Sequence, residues 1–243
     1  MAKLLEVKDV FAGYDRGPDI LTGTTLSVDA GQVQCIIGPN GAGKSTLMKA
    51  IAGLLPLRAG EIRFNGERID GLRPDQILRK GICFVPQERA LFGKMSVREN
   101  LRMGGYILDD PRTLSQRIET VLEAFPILGE RATQRAGTLS GGQQQMLAMA
   151  RTLIVEPEVV MLDEPSLGLA PQIVQQMYDI VRMLREKGMT VLLVEQNAVV
   201  GLSNADRGAV LDLGKTLFEG PAAEILSDPR IQELYLGKSM QAA

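Results

Sequence analysis

The chain has 243 residues, enough for one large domain or one domain with a subdomain, and its 45% hydrophobic and 23% charged residues exclude disordered and fibrous classes. Lys and Arg number 27 against 29 Asp and Glu, a net charge of -2 that argues against a nucleic-acid surface built on excess positive charge. With no histidine, the chain can build no Ser-His-Asp or Cys-His catalytic set and no zinc site with a His ligand.

The first six residues lack a signal-peptide core, and no apolar run approaches the ~20 residues of a membrane span, so a cytoplasmic location is expected. Residues 5–10 alternate with period two, and residues 32–37 and 61–64 are short β-type runs, the last closed by Asn65-Gly66. A helix is expected from Lys44 to about Gly53, stopped by Pro56. Cys35 and Cys83 sit in apolar runs and read as buried thiols. Ser96-Val97-Arg98-Glu99 is a capping box opening a helix to about Met103, and residues 113–125 carry helical apolar spacing. No strand is expected between about 88 and 156. Strand and helix then alternate: strand 159–162, helix 171–187, strand 190–194, a short helix near 197–203 and strand 208–213. Helical stretches near 222–226 and 231–235 close the chain. The pattern is an α/β core interrupted by a helical insert. The expected boundaries are 1–87 and 157–220 for the core, 88–156 for the insert and 221–243 for a C-terminal cap.

Gly38-Pro39-Asn40-Gly41-Ala42-Gly43-Lys44-Ser45 fits the phosphate-binding pattern G-x-x-x-x-G-K-[ST] and lies between a strand and a helix, as that pattern requires. Its glycines let successive amides and the helix N-terminus face one anion, Lys44 reaches the β- and γ-phosphates, and the Ser45 hydroxyl suits Mg²⁺. Thr46 follows and is counted with the phosphate-binding residues. The fold class is therefore read as a P-loop nucleoside triphosphatase core with a β-rich N-terminal subdomain and an inserted helical one. Asp163 and Glu164 end an apolar strand, at the strand edge where ligands of parallel sheets bind. Asp163 is placed for the Mg²⁺ shell and Glu164 for taking a proton from an attacking water.

Leu139-Ser140-Gly141-Gly142-Gln143 alone could be an ordinary helix cap. Its distance ahead of Asp163 makes it resemble the signature motif of ATP-binding cassette (ABC) ATPases. That resemblance implies a second anion site at Ser140, Gly141, Gly142 and Gln143, closing over ATP held by a partner subunit. It implies that Gln87 is the Q-loop residue, touching the metal or water, where an exposed loop glutamine is the alternative. Tyr14 fits the aromatic that stacks on adenine, or else a turn residue. Gln196 takes the switch position usually held by His, and Ala170 stands where an Asp is common. The sequences around Glu164 and Glu195-Gln196-Asn197-Ala198, with Glu99-Asn100-Leu101 and the tail Tyr235-Leu236-Gly237, resemble the ATPases of branched-chain amino-acid importers over nearly the whole chain.

The resemblance implies an ATP- and Mg²⁺-dependent ATPase, peripheral on the inner face of the cell membrane. Its implied partners are membrane permease subunits docked through the helical insert and the segment after Gln87, a second ABC ATPase subunit, and a periplasmic or lipid-anchored solute-binding protein. The second ATPase is expected to be a close relative, forming a heterodimer, with a homodimer as the other arrangement. Importers of urea, amides or other small polar solutes use near-identical ATPases. A soluble ABC-type ATPase acting on DNA or the ribosome is the rival from another class, disfavoured by the single cassette and the acidic balance; no nucleic-acid partner is expected.

Overall fold

Alternation of apolar and polar residues sets the N-terminal strands. In the computed structural model, which describes residues 3–88 and 90–231, β1 (Leu5–Ala12) buries Leu5, Val7, Val10 and Ala12. It pairs antiparallel with β2 (Leu21–Val28) on one side and with β4 (Ala59–Phe64) on the other. Asn65 and Gly66, at φ 50° and 77°, turn the chain into the two-residue β5 (Glu67–Arg68), as their pairing in type I′ hairpins leads one to expect. This four-stranded sheet runs β2-β1-β4-β5. Sequence reading missed β2. The buried position that should be apolar is Thr24, whose hydroxyl donates to the Gly214 carbonyl at 2.6 Å, so a satisfied polar group hides the alternation.

The second sheet has six strands in the order β10-β9-β3-β8-β7-β6. These are β3 (Val33–Ile37), β6 (Ile82–Val85), β7 (Val159–Asp163), β8 (Thr190–Val194), β9 (Arg207–Asp212) and β10 (Lys215–Pro221). All pairs are parallel except β9 with β10. β3, β7 and β8 are buried along their whole length, which is why they read as mostly apolar runs, with Gln34 buried inside β3. Cys35, Val160, Leu162, Val191 and Leu193 face one core, while Ile36, Val159, Met161, Leu192 and Val194 face the other, which includes the inner side of the four-stranded sheet. β10 escaped the sequence reading because it is a half-exposed edge strand with no apolar stripe.

Helix α1 (Lys44–Ile51) stops two residues short of the expected end: Gly53 takes a left-handed φ of 70° and Leu54 bonds back to the Lys49 carbonyl. The short α2 (Pro74–Arg79) buries only Ile77 and carries no readable period. Between β6 and β7 come α3 (Val97–Gly104), α4 (Pro111–Ala124), α5 (Pro126–Gly129) and α6 (Gly141–Leu153), and among the described residues no strand lies there. Ser96 caps α3 through the expected reciprocal box with Glu99. Asn100, fully buried on α3, accepts from the Phe92 amide at 2.9 Å and donates to the carbonyls of Phe92 and Ser96 at 3.0 and 2.9 Å, pinning the segment before the helix. A Cβ on Gly104 would stand 2.3 Å from the Arg151 carbonyl oxygen, so α3 and α6 touch backbone to backbone. The remaining helices are α7 (Pro171–Glu186), α8 (Ala198–Ser203), α9 (Ala222–Ser227) and α10 (Pro229–Ile231). The expected helical stretch 231–235 and the tail motif at 235–237 lie outside the described residues, apart from Ile231. Among the described residues no helix is long and apolar enough to cross a membrane.

Candidate active site

The carboxyl ends of β3, β8 and β7 are neighbours, so the loops that follow them meet on one side of the sheet. After β3 the backbone must pass close over β9: a Cβ on Gly38 would lie 2.2 Å from the Leu211 carbonyl oxygen, which only glycine avoids. Gly41 and Gly43 adopt φ 83° and 101°, and Gly43 is the residue from which α1 departs. The β9–β10 turn holds this loop from outside, with the Gly214 amide donating to the Ala42 carbonyl at 3.0 Å. Lys44 is 5% exposed; its Nζ donates to the carbonyls of Gly38 and Pro39 at 2.8 and 3.2 Å and stands 3.9 Å from Glu164 Oε1. Burial lowers the Lys44 pKa, against the opposing pull of Glu164 and Asp163. Asn40, Gly41, Ala42, Gly43, Lys44, Ser45, Thr46, Ile20 and Glu164 line a pocket of about 240 Å³ at the helix N-terminus, a place suited to an anion.

Asp163 ends β7 buried, and its Oδ1 accepts from Ser45 Oγ at 3.0 Å. Burial raises the Asp163 pKa, and the Ser45 bond partly offsets this. One hydroxyl and one carboxylate, both hard oxygen donors, fit Mg²⁺, which takes one or two protein ligands and completes its shell with phosphate and water. Ser45 and Asp163 would hold such an ion, which when bound would neutralise phosphate charge. Glu164 takes a left-handed φ of 47° while its amide donates to the Val194 carbonyl at 2.9 Å, so the turn away from the sheet starts at this residue. Glu164 belongs to two pockets at once. Besides the phosphate-loop pocket it borders a cleft of about 560 Å³ whose lining includes Ser166, Glu195, Gln196 and Asn197.

The other sequence candidates fall in three places. Tyr14, 41% exposed, accepts a hydrogen bond from Lys49 Nζ at 3.3 Å, and the same ammonium lies 5.4 Å from its ring centre, so α1 carries the tyrosine beside the phosphate loop. Gln87 is exposed two residues beyond Val85, whose register partner Leu162 lies two residues before Glu164. Ser140 caps α6 in a reciprocal box: its amide donates to Gln143 Oε1 at 3.0 Å and its Oγ accepts from the Gln143 amide at 3.4 Å. The Gln143 side chain therefore serves the helix cap, and none of residues 140–143 is among the described residues lining the two pockets. Gly142 packs closely, since a Cβ there would sit 2.4 Å from Ile173 Cγ2 at the start of α7.

Sequence reasoning passed over Glu195. It is 2% exposed, and burial raises its pKa although Ser166 and Tyr178 both donate to it. The available signal was its position, an acid directly closing an apolar buried strand, as Asp163 does.

Residues 21–167, more than half of the chain and spanning the phosphate loop, Ser140 and Glu164, match the family model described as ABC transporter. The chain belongs to the ABC transporter family. This ABC ATPase is 46% identical over 213 residues to the high-affinity branched-chain amino acid transport ATP-binding protein BraG of Pseudomonas aeruginosa, covering 88% of this chain and 91% of that one. It is 31% identical over 240 residues to the lipopolysaccharide export system ATP-binding protein LptB of Escherichia coli, covering 98% of each. Its fold superposes with a TM-score of 0.85 on a crystal structure of an ATP-binding cassette of an ABC transporter in its ADP conformation, at 30% identity, covering 98% of this chain and 100% of that one. The protein is accordingly an ATP-binding and ATP-hydrolysing subunit of a multi-subunit transporter, and family and fold imply ATP with Mg²⁺ as its nucleotide and metal.

Proposed function

We propose that this ABC ATPase powers import of branched-chain or other hydrophobic amino acids through separate membrane permeases. The relation to BraG carries this reading, at 46% identity against 31% for LptB. In the same reading Glu164 is the general base, Gln196 the γ-phosphate sensor and Gln87 the residue reporting on metal and water. Tyr14 stacks on adenine. Two subunits close face to face, the Ser140 to Gln143 segment of each completing the ATP site on the other's phosphate loop; a close relative as second subunit is the first choice, a second copy the alternative. The protein then sits on the inner face of the membrane and serves a solute-binding protein on the other side.

In this reading the permease docks in a groove on the helical side of the molecule. An apolar groove of about 640 Å³ runs between α1 and α2 on one side and α3 and α6 on the other, lined among others by Leu54, Phe84, Phe92, Met103, Tyr106 and Arg151. Leu54, Phe92, Met103 and Tyr106 are 38 to 62% exposed, a concentration of large apolar side chains that fits a partner helix.

Reconstitution tests the reading. The protein, its permeases and their binding protein are purified together from native membranes by a tag on this chain and placed in proteoliposomes. Leucine, isoleucine or valine should stimulate ATP hydrolysis and accumulate inside. Stimulation by urea or an amide alone would overturn the solute class and leave the ATPase assignment standing. Ser140→Arg should abolish hydrolysis while a single subunit still binds ATP; loss of binding by the monomer would overturn the two-subunit site.

A further inference from the structure

Glu164 and Gln196 sit on two separate loops, and nothing covalent fixes one against the other. Glu164 opens the loop 165–170, whose Leu167 and Gly168 are exposed; Gln196 follows β8 and is exposed as well. Between them lies the Glu195 carboxylate. Its Oε2 accepts from Ser166 Oγ at 2.8 Å, and its Oε1 accepts from the Ser166 amide at 3.3 Å and from the Tyr178 hydroxyl at 3.0 Å. Ser166 lies two residues after Glu164, Tyr178 is on α7, and Glu195 adjoins Gln196, so one side chain joins both loops and the helix behind them. Glu195 is itself fixed. Its amide donates to the Ile36 carbonyl at 3.1 Å, and α8 presses on it so closely that a Cβ on Gly201 would come within 2.9 Å of Glu195 Cβ and 2.7 Å of Cys35 Sγ.

We propose that Glu195 is a positioning residue that clamps the loop after Glu164, through Ser166, to the strand end bearing Gln196. The inference rests on the roles proposed for Glu164 and Gln196. The clamp is one of shape and hydrogen bonding, and the geometry says which substitute serves. A glutamine in the same rotamer keeps its carbonyl at Oε1, accepting from the Ser166 amide and Tyr178, and puts its amide at Oε2, donating to Ser166 Oγ. A leucine makes none of these bonds and leaves the Ser166 and Tyr178 donors without their acceptor.

The test is steady-state ATP hydrolysis by the full-length protein, reading kcat and KM for MgATP separately. Glu195→Leu should lower kcat by about 10- to 100-fold, the scale on which small misplacements act, with KM within about two-fold of wild type. Glu195→Gln should stay within about three-fold of wild type, because all three bonds survive. Ser166→Ala removes only a half-buried hydroxyl and carries the test where Glu195→Leu does not fold; its kcat should drop by roughly 3- to 10-fold, the worth of one hydrogen bond. Wild-type kcat in Glu195→Leu or Ser166→Ala, even with lowered thermal stability, would make the network merely structural and overturn the proposal. Glu195→Gln falling as far as Glu195→Leu would overturn it too, because the charge would then be what acts. Glu164→Gln is assayed beside them: if it keeps wild-type hydrolysis the reading of the site fails, whereas if it is inactive while Glu195→Leu and Ser166→Ala are not, only the clamp fails.

Discussion

Replacing Glu164 by glutamine should move two measurements in opposite directions. The carboxylate is 3.9 Å from Lys44 Nζ, with the two side chains 12% and 4% exposed. At an effective dielectric constant of about 20 a unit pair at that distance attracts with about 4 kcal/mol, an upper bound, while a fully solvated pair is worth about 1 kcal/mol or less. The actual value lies between, because burial limits screening here. A γ-phosphate entering this pocket meets a cation already engaged and an anion beside it; Glu164→Gln removes both obstacles without changing shape. Affinity for a non-hydrolysable MgATP analogue should rise by at least about five-fold, corresponding to roughly 1 kcal/mol, with little change for ADP. Hydrolysis should fall by about 10²- to 10⁴-fold, since an amide cannot take the proton from water. Titration calorimetry and phosphate release read the two effects. Hydrolysis within ten-fold of wild type would refute Glu164 as base, and an unchanged affinity for the ATP analogue would refute the competition for Lys44.

Three further substitutions probe the frame. Gly142→Ala puts a Cβ 2.4 Å from the Cγ2 of β-branched Ile173, and should cost about 1 to 3 kcal/mol by thermal unfolding, with Gly142→Ala/Ile173→Ala recovering most of it. Asn100→Ala leaves the Phe92 amide and the carbonyls of Phe92 and Ser96 without their side-chain partner; a cost of about 3 kcal/mol should lower the melting temperature by roughly 6 to 12 °C in calorimetry. Glu195 faces Glu164, Cys35, Tyr178 and Lys44, and burial raises its pKa above the ordinary 4.5. A raised folded pKa means that the folded state holds the proton longer, so this contribution to stability is complete below pH 4.5 and is lost as pH rises through the folded value. Glu195→Gln lacks that loss, and its melting temperature should gain on wild type as pH rises above 4.5; a difference that stays constant as pH rises would show that Glu195 does not titrate with the raised pKa.

The parts of the site legible in the sequence are those whose residues are contiguous. The phosphate loop is eight successive residues between a strand and a helix, and Asp163-Glu164 closes an unmixed apolar strand. What stayed hidden depends on the partner. Thr24 reads as a polar break until the Gly214 carbonyl 190 residues away is known to accept from it. β10 has no periodic face because it is an edge. Glu195 acquires its meaning from Ser166 and Tyr178, 29 and 17 residues earlier, and Asn100 from a loop it folds back to bind. Short-range patterning reports which elements form, while polar contacts across large sequence separations are fixed only by the assembled fold.

Helix α6 has a mechanical consequence. Its 13 residues make a rod of about 20 Å, with the Ser140 cap at one end and, near the other, Arg151, whose carbonyl lies against Gly104 of α3 and whose side chain borders the apolar groove. A glycine contact has no side chain to bend, so α3 and α6 meet here rigidly, backbone against backbone. The capping box at the Ser140 end keeps the first turn of α6 from fraying, so the helix is held at both ends. An alanine at Gly104 would act as a wedge in this contact, at a residue that lines neither of the two pockets Glu164 borders.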